Sequence, residues 1–291
     1  MKKIFCILCH KVTNPLLYTV NYLSSFDENI ILIHVDAKST MEEFETFTAK
    51  NVFFVKERVD ISWGGFSLVD STIKIFNEAL NFDFDYMFLI SGDDLPCMNN
   101  QEINDLLSSI EMRNLVHYQD KRNTYVDPLL RVRYDYPKYF YKKDKNFIEK
   151  VKARTFRLIM PFYVSRRFKQ DSHKVAQFYK GTNWISLNQK TLHALMEFIN
   201  TNDWYRDLFH HSFISDEVFF HTALKQIGVT DNYHDENKLN DALRYIDWTT
   251  GPDYPRTLDS SDLAKIKASG CVFTRKISSG IPYEFFEKLI Q

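Results

Sequence analysis

Short runs of consecutive apolar residues alternate with helical stripes along the first 120 positions of this chain. Residues 4–9, 30–35, 52–55, 86–91 and 115–118 have strand length and few polar interruptions, a pattern suited to a sheet covered on both faces. Between the first two, Asn14-Pro15 reads as a helix start, with Asn as N-cap and Pro at the first helical position, and the helix runs to about Ser24. Phe66, Val69, Ile73, Phe76 and Leu80 recur at steps of three and four, which predicts one apolar stripe on a second helix. This β-α-β-α-β order predicts an α/β fold with a mostly parallel central sheet flanked by helices. Ligands of such folds bind beyond the carboxyl ends of the strands. His10, Asp36 and Gly92-Asp93-Asp94 each follow a predicted strand and are therefore site candidates.

The middle of the chain changes character. Positions 131–169 hold thirteen Lys and Arg against three Asp and Glu, a local net charge of +10, interleaved with Tyr134, Tyr136, Phe140, Phe156 and Phe162. Basic residues mixed with aromatics suit RNA, an anionic membrane surface or an anionic glycan. The plainer alternative is a solvated helical insertion whose aromatics pack on the main domain. Beyond it, residues 181–187 read as a turn and strand, 189–200 and 216–226 as helices, 248–259 as a loop, 261–268 as a short helix, and the stretch from about Pro282 as a final amphipathic helix. With no repeat and no linker, a single domain over 1–291 is expected: 1–120 as a nucleotide-binding half, 121–180 as the basic aromatic insertion, and 181–291 as the acceptor and catalytic half.

Composition narrows the function classes. At 44% hydrophobic residues with 25 Phe and 16 Tyr, the 291 residues can fill a large core, and a formal charge of −1 excludes a polyanion-coating or disordered acidic protein. Cys6, Cys9, Cys97 and Cys271 lack paired metal-ligand spacing and read as buried thiols of a reducing compartment, with a redox motif at Cys6-x-x-Cys9 as the second reading. The first apolar run meets His10-Lys11 after six residues, too short for a signal peptide or a membrane span. The expectation is a cytoplasmic protein, at most peripheral to the inner membrane.

Three motifs can carry chemistry. In Ser91-Gly92-Asp93-Asp94 a strand ends in a glycine turn presenting two carboxylates, which can hold a divalent metal, orient sugar hydroxyls or merely cap the next segment. In Ser215-Asp216-Glu217 the acids sit at a predicted helix start, where the helix dipole favours them in any case, while Glu217 can equally act as a general base. Arg256, in Tyr254-Pro255-Arg256, and the basic motif Phe273-Thr274-Arg275-Lys276-Ile277 are either a source of two cations for a diphosphate or ordinary surface charges. His10, His34 and Asp36 match no zinc pattern, so buried, hydrogen-bonded or nucleotide-contacting roles are expected of them.

Taken in order, His10-Lys11, Ile33-His34-Val35-Asp36, Trp63-Gly64-Gly65-Phe66-Ser67, Ser91-Gly92-Asp93-Asp94-Leu95-Pro96, Gly181-Thr182-Asn183-Trp184, Ser215-Asp216-Glu217 and Leu243-Arg244-Tyr245-Ile246-Asp247-Trp248 span nearly the whole chain. This series resembles the core-2/I-branching β-1,6-N-acetylglucosaminyltransferases and peptide O-xylosyltransferases, glycosyltransferase family 14. The resemblance implies a GT-A-type nucleotide-sugar-binding fold and an inverting, metal-independent transfer from a UDP-sugar, with no cofactor. It implies Glu217 as catalytic base, Arg256 and Lys276 on the UDP diphosphate, His10, Asp36 and Trp63 at the nucleotide, and Asp94 with Trp184 at the donor sugar. N-acetylglucosamine is the first expectation for that sugar and xylose the second. A glycan or lipid-linked glycan acceptor, as in bacterial surface polysaccharide synthesis, is expected, and nucleic acid is not. The rival expectations are a metal-dependent transferase using Asp93 and Asp94, and a nucleic-acid-binding protein using the basic segment.

Overall fold

The computed structural model describes residues 1–251 and 254–291. Its strands are β1 (Lys3–Cys9), β2 (Asn29–Val35), β3 (Val52–Phe54), β4 (Tyr86–Ser91), β5 (Leu95–Pro96), β6 (Ser186–Asn188), β7 (Arg244–Ile246) and β8 (Phe273–Arg275). The main sheet has the order β3-β2-β1-β4-β6, all parallel except β6, which runs antiparallel to β4. A smaller sheet, β5-β8-β7, continues from the end of β4. The expected α/β fold with a mostly parallel sheet flanked by helices is what the chain adopts.

The unbroken apolar runs follow from burial on both faces. Ile4, Cys6, Leu8 and Leu32 point to one side, where the Ser67–Ala79, Gln189–Thr201 and Phe219–Gln226 helices cover them. Phe5, Ile7, Ile31 and Ile33 point to the other, under the Asn14–Ser24 and Asn100–Ser109 helices. A third cluster, with Leu95, Leu258, Ile277 and Phe286, fixes the small sheet against the C-terminal helix Tyr283–Ile290.

Several local expectations are corrected. Thr13, not Asn14, caps the first helix, its hydroxyl accepting from the Leu16 amide, while the Asn14 side chain donates to the Ile281 carbonyl at 2.9 Å. Residues 115–118 make isolated bridges rather than a strand, Leu115 with Ser186 and Tyr118 with Gly181. The helix expected over 216–226 is divided into a 3-10 turn, Ser215–Glu217, and the Phe219–Gln226 helix. The loop expected over 248–259 includes residues 252 and 253, which lie outside the described residues. All four cysteines are free thiols. No helix among the described residues is long and apolar enough to cross a membrane.

Candidate functional site

The carboxyl ends of β1 and β4 enclose a cavity of about 60 Å³ lined by Cys9, His10, Lys11, Ser91, Gly92 and Asp93. Asp36, at the end of β2, is 5% exposed; it accepts from the Lys38 amide at 2.9 Å and faces the Lys38 ammonium at 3.3 Å. His34 is wholly buried, and its Nε2 accepts from the Val59 amide at 3.0 Å, which gives it a structural role. Trp63 is nearly half exposed, its ring edge-on to Phe213 at 5.8 Å between centroids and the Lys145 ammonium 5.5 Å from its own centroid.

The two aspartates of the glycine turn face different cations. Asp94 is fully buried, and its Oδ1 accepts from Ser91 Oγ at 2.5 Å and Arg275 Nε at 3.1 Å, leaving Oδ2 without a partner among the described residues. The Arg275 guanidinium lies 4.1 Å from the Trp184 ring centroid, so Trp184, Arg275 and Asp94 form one stack. Asp93 faces Lys276 at 3.0 Å. Arg256 is held by two carboxylates, Asp247 at 3.0 Å and Asp262, and hydrogen bonding to Asp247 raises its pKa. The Lys276 carbonyl accepts from the Leu258 amide at 2.7 Å, which brings the Arg256 segment alongside β8.

Glu217 ends the 3-10 turn. Its carboxylate lies 3.3 Å from Arg131 and 3.2 Å from Lys180 and remains about a quarter exposed. Two cations from different segments thus fix the direction of one reachable carboxylate. The turn is anchored through Ile214, whose backbone is left-handed (φ 52°) and whose amide donates to the Gly64 carbonyl at 2.8 Å. Gly64 has φ +69°, and a Cβ there would stand 2.9 Å from the Phe213 ring, so the Trp63-Gly64 motif requires glycine at this crossing. Asp216 points the other way, into the protein. Burial, and then the neighbouring Glu217 charge, pushes its carboxyl up to about 7, and its Oδ1 has no partner among the described residues.

One short segment joins the two groups. The Gly181 amide donates to the Glu217 carbonyl at 2.9 Å, and Trp184, three residues on, stacks on Arg275. Three residues span at most about 11 Å. The Glu217 backbone and the Trp184 backbone therefore lie within one short, nearly direct stretch of chain. Arg131 and Lys180 are candidate site residues that the sequence reading misses, and Arg275 enters it only as the neighbour of Lys276. Lys180 directly precedes the Gly181-Thr182 motif, and that adjacency is the available signal; Arg131 is hidden among twelve other cations.

A sequence profile described as Core-2/I-Branching enzyme matches residues 4–269. A xylosyltransferase of Ciona intestinalis is 22% identical over 289 residues, covering 88% of this chain and 30% of its own length. The chain thus spans less than a third of that curated relative. Among solved structures, mouse xyloside xylosyltransferase 1 is 10% identical with a TM-score of 0.33, covering 78% of this chain and 82% of its own. TarS of S. aureus is 11% identical with a TM-score of 0.28, covering 43% of this chain and 23% of its own.

Proposed function

Since the chain belongs to the Core-2/I-Branching enzyme family, we propose that it is an inverting glycosyltransferase that moves a sugar from a UDP-sugar to a hydroxyl of a glycan or lipid-linked glycan. The observation that carries this reading is the partly exposed Glu217 carboxylate, oriented by Arg131 and Lys180 and joined through residues 181–184 to the Asp94–Arg275–Trp184 stack. Glu217 accepts the proton of the acceptor hydroxyl while that oxygen attacks the anomeric carbon from the face opposite UDP. One displacement inverts the centre. The departing UDP gains negative charge, which Lys276 and Arg256 offset.

Metal-independent transfer is part of the proposal and is supported by the pairing of Asp93 with Lys276 and of Asp94 with Arg275. N-acetylglucosamine is the first donor sugar proposed. Xylose is the second, favoured by the Ciona xylosyltransferase. The test is transfer and hydrolysis from UDP-N-acetylglucosamine and UDP-xylose by the wild type and Glu217→Gln. Turnover should fall by a factor of about a hundred or more while UDP affinity stays within a few-fold. Near-normal turnover by folded Glu217→Gln removes this residue from the role.

A further inference from the structure

The Phe147–Ile159 helix has two apolar faces, and the described residues cover only one. Ala153 and Phe156 are buried against Phe140, in the small cluster that also holds Tyr136 and Phe213. On the opposite side, Phe147 is 81% exposed, Ile148 62%, Val151 48% and Leu158 78%, and Phe162, just beyond the helix, is 87% exposed. At 3.6 residues per turn these four helical residues share a sector about 100° wide. Lys150, Arg154 and Arg157 border it on one side and Lys152 on the other. All four cations are exposed, and none makes an ion pair among the described residues.

An apolar stripe bordered on both sides by free cations is the pattern of a helix lying in a bilayer interface, its apolar side chains among the acyl chains and its cations at anionic headgroups. We propose that this face docks the protein on an anionic lipid bilayer. A nucleic acid would use the cations but has no contact to make with Ile148, Val151 and Leu158. A second copy would bring two segments of net charge +10 together. The helix that carries this face is tied to the candidate site through its covered side: Phe213 packs in the cluster under it, the Phe213 amide donates to the Arg131 carbonyl at 2.9 Å, and Arg131 faces Glu217. The inference extends the lipid-linked acceptor reading, but its test needs no transferase activity.

The test is flotation with vesicles of phosphatidylcholine alone and of equal parts phosphatidylcholine and phosphatidylglycerol. The wild type should float with the anionic vesicles only and be released by high salt. Phe147→Ser/Leu158→Ser/Phe162→Ser should lower partitioning about tenfold or more. Neutralising Lys150, Lys152, Arg154 and Arg157 to Gln should cost roughly fivefold per cation. Both variants change exposed side chains, and an unchanged melting temperature verifies their folding. Phe162→Trp should show a blue-shifted emission on adding anionic vesicles. Absence of flotation and of that shift overturns the proposal. So does RNA binding without vesicle binding, or a dimer in sedimentation that the triple Ser variant abolishes while vesicles have no effect.

Discussion

At the scale of single residues, Asp216 and Glu217 are neighbours with opposite surroundings. Unfolded, the Asp216 carboxyl titrates at its ordinary value of 3.8; folded, burial raises it to about 7. Between these values the native state keeps a proton that the unfolded chain has released, so stability falls as pH rises from about 4 to about 7. Asp216→Asn mimics the neutral form. Urea denaturation across pH should find it more stable than the wild type above pH 7, by an upper limit of about 4 kcal/mol, with the difference vanishing below about pH 4. Equal stability at every pH would mean that Asp216 is ionised in its native setting. Lys276 supplies a second residue-scale prediction. Transfer should continue in excess EDTA, and Lys276→Ala should weaken UDP-sugar affinity by about 2 kcal/mol. Loss of activity in EDTA with recovery on adding Mn²⁺ would return Asp93 and Asp94 to a metal role.

At the scale of elements, legibility in the sequence depends on length and burial. β1, β2 and β4 are six or seven residues buried on both faces, and their apolar runs give them away. β5, β7 and β8 are two or three residues long, too short for a periodic signal, yet β8 carries Arg275 and leads into Lys276. The 115–118 run is apolar for another reason: it packs in the core while pairing only through single bridges. The Ser215–Glu217 turn reads as helix because acids favour helix starts, whereas Asp216 is there turned into the interior. Gly181 makes the bridge to Tyr118 and orders the segment between Glu217 and Trp184. A Cβ there would stand 2.1 Å from the His117 carbonyl oxygen and 2.2 Å from His221 Nε2, and His221 is fully buried. Gly181→Ala should therefore cost about 3 kcal/mol or more, or prevent folding. Wild-type stability in chemical denaturation would show that the segment can shift.

At the scale of the whole molecule, the candidate site is assembled from parts distant in sequence, and its cation side rests on the C-terminal segment. The family match ends at residue 269, before Arg275 and Lys276. These are held by the small sheet, by the Ile277 amide donating to the Asp93 carbonyl at 2.9 Å, and by the cluster under the Tyr283–Ile290 helix. Phe286 is 1% exposed and lies 5.8 Å from the Tyr18 ring and 5.6 Å from that of Tyr22, joining the last helix to the first. Phe286→Ala removes this contact without touching the site. It should lower global stability by about 3–5 kcal/mol. Because Ile277 packs in the same cluster, the variant should also bind UDP-sugar more weakly, while turnover at saturating donor stays near that of the wild type, since the Glu217 turn rests on other elements. Calorimetric titration with UDP below the variant's melting range checks this. An unchanged affinity in a destabilised protein would mean that the small sheet holds Lys276 without help from the last helix.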